Sequence, residues 1–258
     1  MTRQIEPLRV AMWSGPRNVS TAMMRAFGAR ADCAVSDEPF YAAYLAATGL
    51  DHPMREAVIA SQPTDWREVA RAMLGPVPDG KAVWYQKHMT QHMIAGFGRD
   101  WTDHVVNAFL IREPGAALAS YARKRQAFTL DEIGLPAQLA LFERAADRLG
   151  KAPPVIDGAE VLADPRRALT ALCEALGVAF DEAMLAWPAG KRDSDGVWAP
   201  AWYEAVEKST GFGPPQPDVR FEDLPDALKP IAEAARPLYE KLARHRLLAQ
   251  AGETGTRA

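Results

Sequence analysis

The segment SGPRNVST at residues 14–21 carries residue types that bind a phosphate-like anion. It lies between an apolar run and a helical pattern, so its backbone N–H groups and the N-terminus of the next helix can form an anion site. Arg17 adds a planar guanidinium suited to phosphate or sulfate oxygens, and Ser20 and Thr21 can donate hydroxyl hydrogen bonds. The candidate anion-binding residues of this loop are Gly15, Pro16, Arg17, Asn18, Val19, Ser20 and Thr21.

The loop differs from the phosphate-binding loop of nucleotide hydrolases at a position that decides its chemistry. The hydrolase loop has a lysine directly before its Ser/Thr, and that lysine contacts the β- and γ-phosphates while the hydroxyl binds magnesium. Here Val19 precedes Ser20, and Arg17 is the only cationic residue of the loop. ATP with magnesium is therefore a poor fit, and no metal is expected. The alternative is a capped helix after a Gly-Pro turn, with Arg17 in solvent.

A second candidate anion site follows the most apolar segment of the chain, residues 105–111. This segment predicts a buried strand that ends at Arg112. Ser120 lies eight residues later, about two turns into a helical pattern. An arginine at a strand end and a serine on the adjoining helix can converge on one anion. Two such sites suggest a ligand with two separated phosphate-type groups.

Short apolar runs alternate with helical patterns, which is typical of an α/β fold with a mostly parallel central sheet. Predicted strands cover residues 8–13, 33–36, 82–86, 105–111 and 154–156. Predicted helices cover residues 20–30, 116–125, 136–149 and 165–176, with shorter helices within 41–75 and a helix at 225–248 broken or kinked near Pro230 and Pro237. Ser20 or Asn18 is expected to cap the first helix. Because open α/β sheets bind ligands at the carboxyl ends of their strands, both anion sites are expected at one edge.

The bulk properties fit one globular domain. The chain has 258 residues, of which 48% are hydrophobic and 24% charged, and its net charge is −3. This balance gives no reason to expect nucleic acid or a membrane surface as a partner. Cys33 and Cys173 lie in apolar patterns without metal-ligand spacing, which indicates buried free thiols in a reducing compartment. We expect a cytoplasmic protein with one domain at 1–250, a disordered tail at 251–258 and an oligomeric state left open.

Three segments together resemble a known enzyme family. SGPRNVST before a helix, then IREPGAALASYARKR, then VIDGAEVLADPRRALTALCEALGVAFDEAML follow the order of signatures in sulfotransferases that use 3′-phosphoadenosine-5′-phosphosulfate. The matches span most of residues 8–185, and the resemblance is closest to a bacterial sulfotransferase-like group. It implies a three-layer fold like that of P-loop nucleoside-triphosphate hydrolases. It also implies transfer of a sulfuryl group to a hydroxyl or amine of a small-molecule acceptor.

The resemblance implies roles for individual residues. In the family the first loop holds the 5′-phosphosulfate of the donor, and an arginine and a serine spaced like Arg112 and Ser120 hold the 3′-phosphate. Arg17 and the loop N–H groups would then stabilise charge on the departing 5′-phosphate and on the sulfuryl oxygens. Lys87 matches the lysine of a Lys-x-His motif in the cytosolic branch, where the lysine contacts the donor.

A general base near the sulfuryl group is expected, because the acceptor loses a proton as its bond to sulfur forms. Glu38 follows the second predicted strand, where several branches of the family carry a glutamate base; alternatively, Asp37 and Glu38 cap the next helix. His88 is one residue earlier than the family's histidine, which on a strand would place it on the opposite face. His92 is a third option for the base. The catalytic candidates are Glu38, Lys87, His88 and Arg17.

Two other functions stay open: an atypical P-loop kinase or NTPase, and a non-catalytic nucleotide-binding protein of the same fold. Residues 198–214 combine aromatic side chains with a Ser-Thr-Gly turn, so this loop either closes over a ligand or only packs. The basic run at 122–126 either adds positive potential near Arg112 or forms a solvated helix face. Segments 41–75 and 178–222 are expected to shape the acceptor pocket.

Overall fold

The computed structural model describes residues 6–125, 127–217 and 219–248. A sheet of five strands has the order β2-β3-β1-β4-β5, and every pairing within it is parallel. The strands are β1 (Leu8–Ser14), β2 (Cys33–Asp37), β3 (Val83–Met89), β4 (Val106–Ile111) and β5 (Val155–Asp157). The predicted α/β class with a parallel sheet is confirmed. The predicted tail at 251–258 lies outside the described residues.

Helices cover both faces of the sheet. They are α1 (Ser20–Gly28), α2 (Tyr41–Thr48), α3 (Arg55–Ser61), α4 (Trp66–Met73), α5 (Pro114–Ala122), α6 (Leu130–Ile133), α7 (Leu135–Leu149), α8 (Gly158–Ala163), α9 (Pro165–Leu176), α10 (Ala199–Trp202), α11 (Glu204–Glu207) and α12 (Lys229–Ala243). Helices α1 and α9 pack on one face through Phe27 and Leu172, whereas α7 and α12 pack on the other through Phe142 and Leu242. Along the described part of the chain, no helix is both long and apolar enough to cross a membrane.

Strand β1 lies at the centre of the sheet and is buried on both faces. Val10 and Met12 join the hydrophobic cluster under α1 and α9, while Ala11 and Trp13 join the cluster under α7. Successive strand side chains point to opposite faces, so a strand covered on both sides needs a continuous apolar run. The rigid strand fixes the point at which the anion-binding loop leaves the sheet.

Strand β3 is longer than the sequence predicts. It ends at Met89 rather than Gln86, so Lys87 and His88 lie within the strand. Pairing with β1 and β2 on its two sides holds these residues extended, because tertiary context overrides their weak strand propensity. The alternation of side chains along β3 therefore decides which of the two reaches the ligand site.

The predicted cap of the first helix is wrong. Helix α1 begins after Val19 with no side-chain cap, because the Asn18 side chain instead accepts a hydrogen bond from the Val19 N–H at 2.9 Å. The predicted interruption near Pro230 is present, since a short turn at Asp226–Leu228 precedes α12 and Pro230 lies in the first turn of that helix, where a missing N–H costs little. At Pro237, in contrast, α12 continues without a break. Pro237 is exposed, so water can reach the carbonyl that loses its intrahelical donor.

Candidate active site

A cavity of about 560 Å³ lies where the strands have their carboxyl ends. Residues that follow β1, residues at the ends of β2, β3 and β4, helix α5 and the late segment 202–217 line it. The sequence-predicted residues in the lining are Pro16, Arg17, Asn18, Val19, Ser20, Thr21, Glu38, Lys87, His92, Arg112 and Ser120. Gly15 and His88 are not in the lining. The cavity occupies the edge at which open parallel sheets bind ligands.

Two residues of the loop hold it in shape. A Cβ on Gly15 would lie 2.7 Å from the carbonyl oxygen of Ile133, so a side chain there would push the loop away from α6. The Asn18 amide donates to the Leu110 carbonyl at 3.0 Å, which ties the loop to the end of β4. Gly15 and Asn18 therefore set the position of the loop rather than supply charge.

Arg17 joins the two predicted anion sites. Its Nε donates to Ser120 Oγ at 3.1 Å, and its carbonyl accepts a hydrogen bond from the Arg112 guanidinium. Its φ is 58°, in the left-handed region, which costs a non-glycine residue about 1–3 kcal/mol. Such strain is concentrated at ligand sites, where the surrounding contacts enforce it. Arg17, Arg112 and Ser120 thus form one cluster rather than two separate sites.

Three guanidinium groups share this end of the cavity. Burial, followed by the charges of Arg17 and Arg123, lowers the pKa of Arg112, and burial followed by Arg123 lowers the pKa of Arg17. Arg123, in the basic run predicted to lie near Arg112, also lines the cavity. Like charges held close together are destabilising until an anion binds between them. The arrangement therefore suits a ligand that carries several negative charges.

Lys87 also lines the cavity and belongs to a second, buried cluster of polar side chains. Its Nζ donates to Asp37 Oδ1 at 2.9 Å, to Glu38 Oε1 at 2.5 Å and to Tyr203 Oη at 2.7 Å. Burial alone would lower the pKa of Lys87, but the carboxylates of Asp37 and Glu38 outweigh it and raise the pKa. Lys87 therefore remains charged although it is only 1% exposed.

Glu38 is the acidic side chain that reaches the cavity. Burial is the main cause that raises its pKa, and the Asp37 carboxylate adds to this, while Lys87 opposes it. Its Oε2 lies 4.0 Å from Nε2 of His92, a histidine whose own pKa burial lowers well below its usual value. Helix α2 begins after Phe40 without a side-chain cap, so the carboxylates at the end of β2 do not cap it. A buried carboxyl with a raised pKa suits proton transfer.

His88 points to the opposite face of β3 from Lys87. Its ring stacks on Trp13 with 4.6 Å between centroids, and its Nε2 lies 3.2 Å from Gln86 Oε1. Burial lowers the pKa of His88 to about 3. The structure does not bring this predicted catalytic residue to the cavity, because neighbouring side chains of a strand face opposite ways. His88 is a packed, neutral core histidine.

Three buried neutral histidines should make stability fall in acid. Burial lowers the pKa of His52 to about 4, that of His88 to about 3, and that of His92 also. Each titrates near about 6.5 when unfolded, so below that pH the unfolded chain binds more protons than the folded one. Their stabilisation is complete above about pH 6.5 and is lost as the pH falls toward the folded values, by up to about 1.4 kcal/mol per histidine per pH unit.

The measurement is the thermal midpoint by calorimetry between about pH 7 and about pH 5. We expect the midpoint to fall with pH in the wild type. The variant His88→Leu removes one of the titrating groups and should show a smaller slope. A midpoint that is independent of pH would contradict the assignment of neutral buried histidines.

Comparison with known proteins decides the family. The family model described as "Sulfotransferase domain" matches residues 8–242. The chain belongs to the sulfotransferase domain family. The family places it among sulfotransferase enzymes and confirms the resemblance drawn from the three sequence segments.

Solved sulfotransferase structures share the fold. The sulfotransferase domain of the Synechococcus olefin synthase aligns with a TM-score of 0.54 at 18% identity, over 93% of this chain and 96% of that one. A sulfotransferase from Alicyclobacillus acidocaldarius aligns with a TM-score of 0.52 at 13% identity, over 94% of this chain and 97% of that one. These similarities support the predicted three-layer sulfotransferase fold.

Curated relatives are more similar in sequence. Branched-chain-amino-acid aminotransferase-like proteins 1 and 2 of Arabidopsis thaliana are each 34% identical, over 93% and 90% of this chain. The chain spans only 42% and 41% of their lengths. The match therefore leaves more than half of each relative outside this sulfotransferase domain.

Sequence reasoning did not single out Asp37 and Tyr203 as site residues of this sulfotransferase domain. Asp37 lies at the end of the second predicted strand, where the sequence pattern indicates only a possible cap of the next helix. Its contact with Lys87 was therefore not predicted. Tyr203 lies in the aromatic segment 198–214, which the sequence marked as a possible cover for the ligand. The aromatic composition of segment 198–214 was the sequence feature that pointed to a role for Tyr203.

Proposed function

We propose that this cavity transfers a sulfuryl group from 3′-phosphoadenosine-5′-phosphosulfate to a hydroxyl or amine of a small-molecule acceptor. The observation that carries the proposal is one cavity that Arg17, Arg112 and Ser120 line together with Glu38 and Lys87. The basic cluster suits the phosphates of the donor. The Glu38 carboxylate suits removal of a proton from the acceptor.

In this proposal, different residues bind the two phosphate-type groups of the donor. Arg17 and the loop N–H groups hold the 5′-phosphosulfate, and Arg112 and Ser120 hold the 3′-phosphate. The hydrogen bond from Arg17 Nε to Ser120 Oγ supports this assignment because it joins the arginine proposed for the 5′-phosphosulfate to the serine proposed for the 3′-phosphate. Hydrogen-bond donors that already point at the charge developing in the transition state lower the reaction barrier, because the site need not rearrange during the reaction.

The chemical step is a direct, in-line transfer. A bond forms between the acceptor oxygen or nitrogen and sulfur while the bond from sulfur to the bridging oxygen of the 5′-phosphate breaks. The electron pair of the broken bond stays on that oxygen, where Lys87 and Arg17 stabilise it. The acceptor proton moves to Glu38, a cavity-lining carboxylate whose raised pKa makes it a stronger base than an exposed glutamate.

Titration calorimetry with three nucleotides tests the donor assignment. We expect adenosine-3′,5′-bisphosphate to bind at least about tenfold more tightly than adenosine-5′-monophosphate, because charge-assisted hydrogen bonds to the 3′-phosphate contribute about 1.5–3 kcal/mol. ATP with magnesium should bind more weakly than the bisphosphate. Tighter binding of ATP with magnesium would contradict the proposal and favour the kinase alternative.

The names of the Arabidopsis relatives do not extend the proposal. Those names describe the relatives as aminotransferase-like, but the match covers less than half of each relative. The proposal for this chain rests on its sulfotransferase family and on its own cavity.

A further inference from the structure

Lys87 uses all three of its ammonium hydrogens within the protein. They go to Asp37, Glu38 and Tyr203, at 2.9, 2.5 and 2.7 Å. A lysine has three donors and no acceptor. An oxygen of the sulfuryl donor can therefore hydrogen-bond to Lys87 only when one of these partners gives up its hydrogen bond.

Asp37 and Tyr203 are held firmly by other contacts. The Tyr203 hydroxyl donates to Asp37 Oδ2 at 2.7 Å and accepts hydrogen bonds from Lys87 and, at 3.1 Å, from Nε1 of Trp198. Asp37 Oδ2 also accepts from the Gly196 N–H at 3.1 Å, and its side chain is only 2% exposed. Burial and the two nearby carboxylates raise the pKa of Tyr203 well above its usual value, so the hydroxyl stays a donor.

Glu38 is held less firmly than the other two partners. Its side chain is 11% exposed and lines the cavity. Apart from Lys87, its Oε1 has only a long contact of 3.4 Å with the Tyr203 hydroxyl, and its Oε2 is 4.0 Å from the neutral ring of His92. Glu38 is thus the partner whose side chain is least restrained by other contacts and can move away from Lys87.

We propose that Asp37 and Tyr203 form a fixed seat for Lys87, and that donor binding moves one N–H of Lys87 from Glu38 to the oxygen joining sulfur to the 5′-phosphate. This inference rests on the proposed function. Once the hydrogen bond from Lys87 is lost, the Glu38 carboxylate is less stabilised and becomes a better proton acceptor. Donor binding thereby activates the base. Asp37 and Tyr203 are positioning residues that act through Lys87.

The variant Tyr203→Phe tests the seat, since it removes one of the two fixed partners of Lys87. The measured reaction is release of bisphosphate from the sulfuryl donor with water as acceptor. We expect its kcat to fall at least about tenfold, because the N–H that Tyr203 no longer accepts can serve the donor oxygen, so that Glu38 keeps its hydrogen bond from Lys87 and is not activated as a base. Lys87 then stays on Glu38 and stabilises its charged form, so the acid limb of the kcat–pH profile should move to lower pH. Bisphosphate affinity should stay within about threefold of wild type.

Tyr239→Phe is the matched control. It also deletes a phenol hydroxyl that donates to a carboxylate, Asp157 Oδ2 at 2.7 Å, but Tyr239 is outside the cavity lining. Its kcat and its acid limb should equal those of the wild type. A Tyr203→Phe enzyme with wild-type kcat would overturn the seat. A lower kcat with an unmoved acid limb would overturn it also, because that result indicates only a packing role.

A second measurement separates the seat from the proposed function. A wild-type enzyme that releases no bisphosphate from the donor, either with water or with any of a panel of phenols, alcohols and amines, contradicts the proposed function. The seat is then tested by the exchange of the Lys87 ammonium protons with water, followed by NMR of lysine labelled with nitrogen-15. We expect slow exchange in the wild type and faster exchange in Tyr203→Phe. Fast exchange in the wild type would overturn the seat whether or not the enzyme turns over.

Discussion

Replacing Glu38 with glutamine should lower kcat for sulfuryl transfer by about 10²- to 10⁴-fold, the range that a positioned general base contributes. Glutamine preserves the size of the side chain, but its amide does not accept the acceptor's proton. The proposed phosphate-binding residues Arg17, Arg112 and Ser120 are unchanged. Bisphosphate affinity measured by calorimetry should therefore not fall by more than about threefold, so that the loss lies in the chemical step.

Glu132→Gln is a suitable control for the loss of a buried carboxylate. Glu132 and Glu38 are each 9% exposed, and Glu132 pairs with Arg125 at 3.0 Å, outside the cavity lining. Its kcat should remain close to that of the wild type even if its melting temperature falls. A Glu38→Gln enzyme that keeps most of its kcat would contradict the assignment of Glu38 and point to the neighbouring His92 as the base.

Replacing Arg112 with alanine should weaken bisphosphate binding by about 10- to 150-fold, which corresponds to losing about 1.5–3 kcal/mol of charge-assisted hydrogen bonding. The same change should leave the melting temperature of the ligand-free protein equal or slightly higher. The reason is that Arg17 and Arg123 both lower the pKa of Arg112, so its charge is repelled until an anion binds. Calorimetry and a thermal melt without ligand measure the two effects separately.

Arg67→Ala controls for the loss of an arginine in general. Arg67 is in α4, its side chain is 65% exposed, and it is outside the cavity lining. It should bind the bisphosphate like the wild type. Unchanged bisphosphate affinity in Arg112→Ala would contradict the placement of the 3′-phosphate, and so would a large drop in the stability of the ligand-free protein.

The sequence predicted which loop and strand-end residues line the cavity, because their order along the chain determines their position. A buried strand, a tight loop and a helix put the residues of 15–21 at one sheet edge, and Arg112 reaches the same edge at the end of β4. Ser120 follows from helical spacing after Arg112. These positions depend on strand direction and helix periodicity, which an apolar pattern reveals.

The polar cluster around Lys87 could be predicted only in part, because contacts between residues far apart in the chain determine it. The extension of β3 to Met89 decided that Lys87 faces the cavity and His88 the core. Tyr203 meets Asp37 across 166 residues of chain, through a loop whose packing follows no simple pattern. The long helix α12 likewise shows that a proline in the sequence need not break a helix that the core holds in place.

Sulfuryl transfer with Glu38 as the base is tested most directly by following a labelled sulfuryl group from 3′-phosphoadenosine-5′-phosphosulfate to a panel of phenols, aliphatic alcohols and amines. We expect the wild-type enzyme to transfer the group to at least one acceptor with a metal chelator present. In Glu38→Gln the transfer rate should be lower by about 10²-fold or more. Binding of adenosine-3′,5′-bisphosphate without transfer to any acceptor or to water would contradict the proposed transfer, and would leave a nucleotide-binding protein that has kept the sulfotransferase fold.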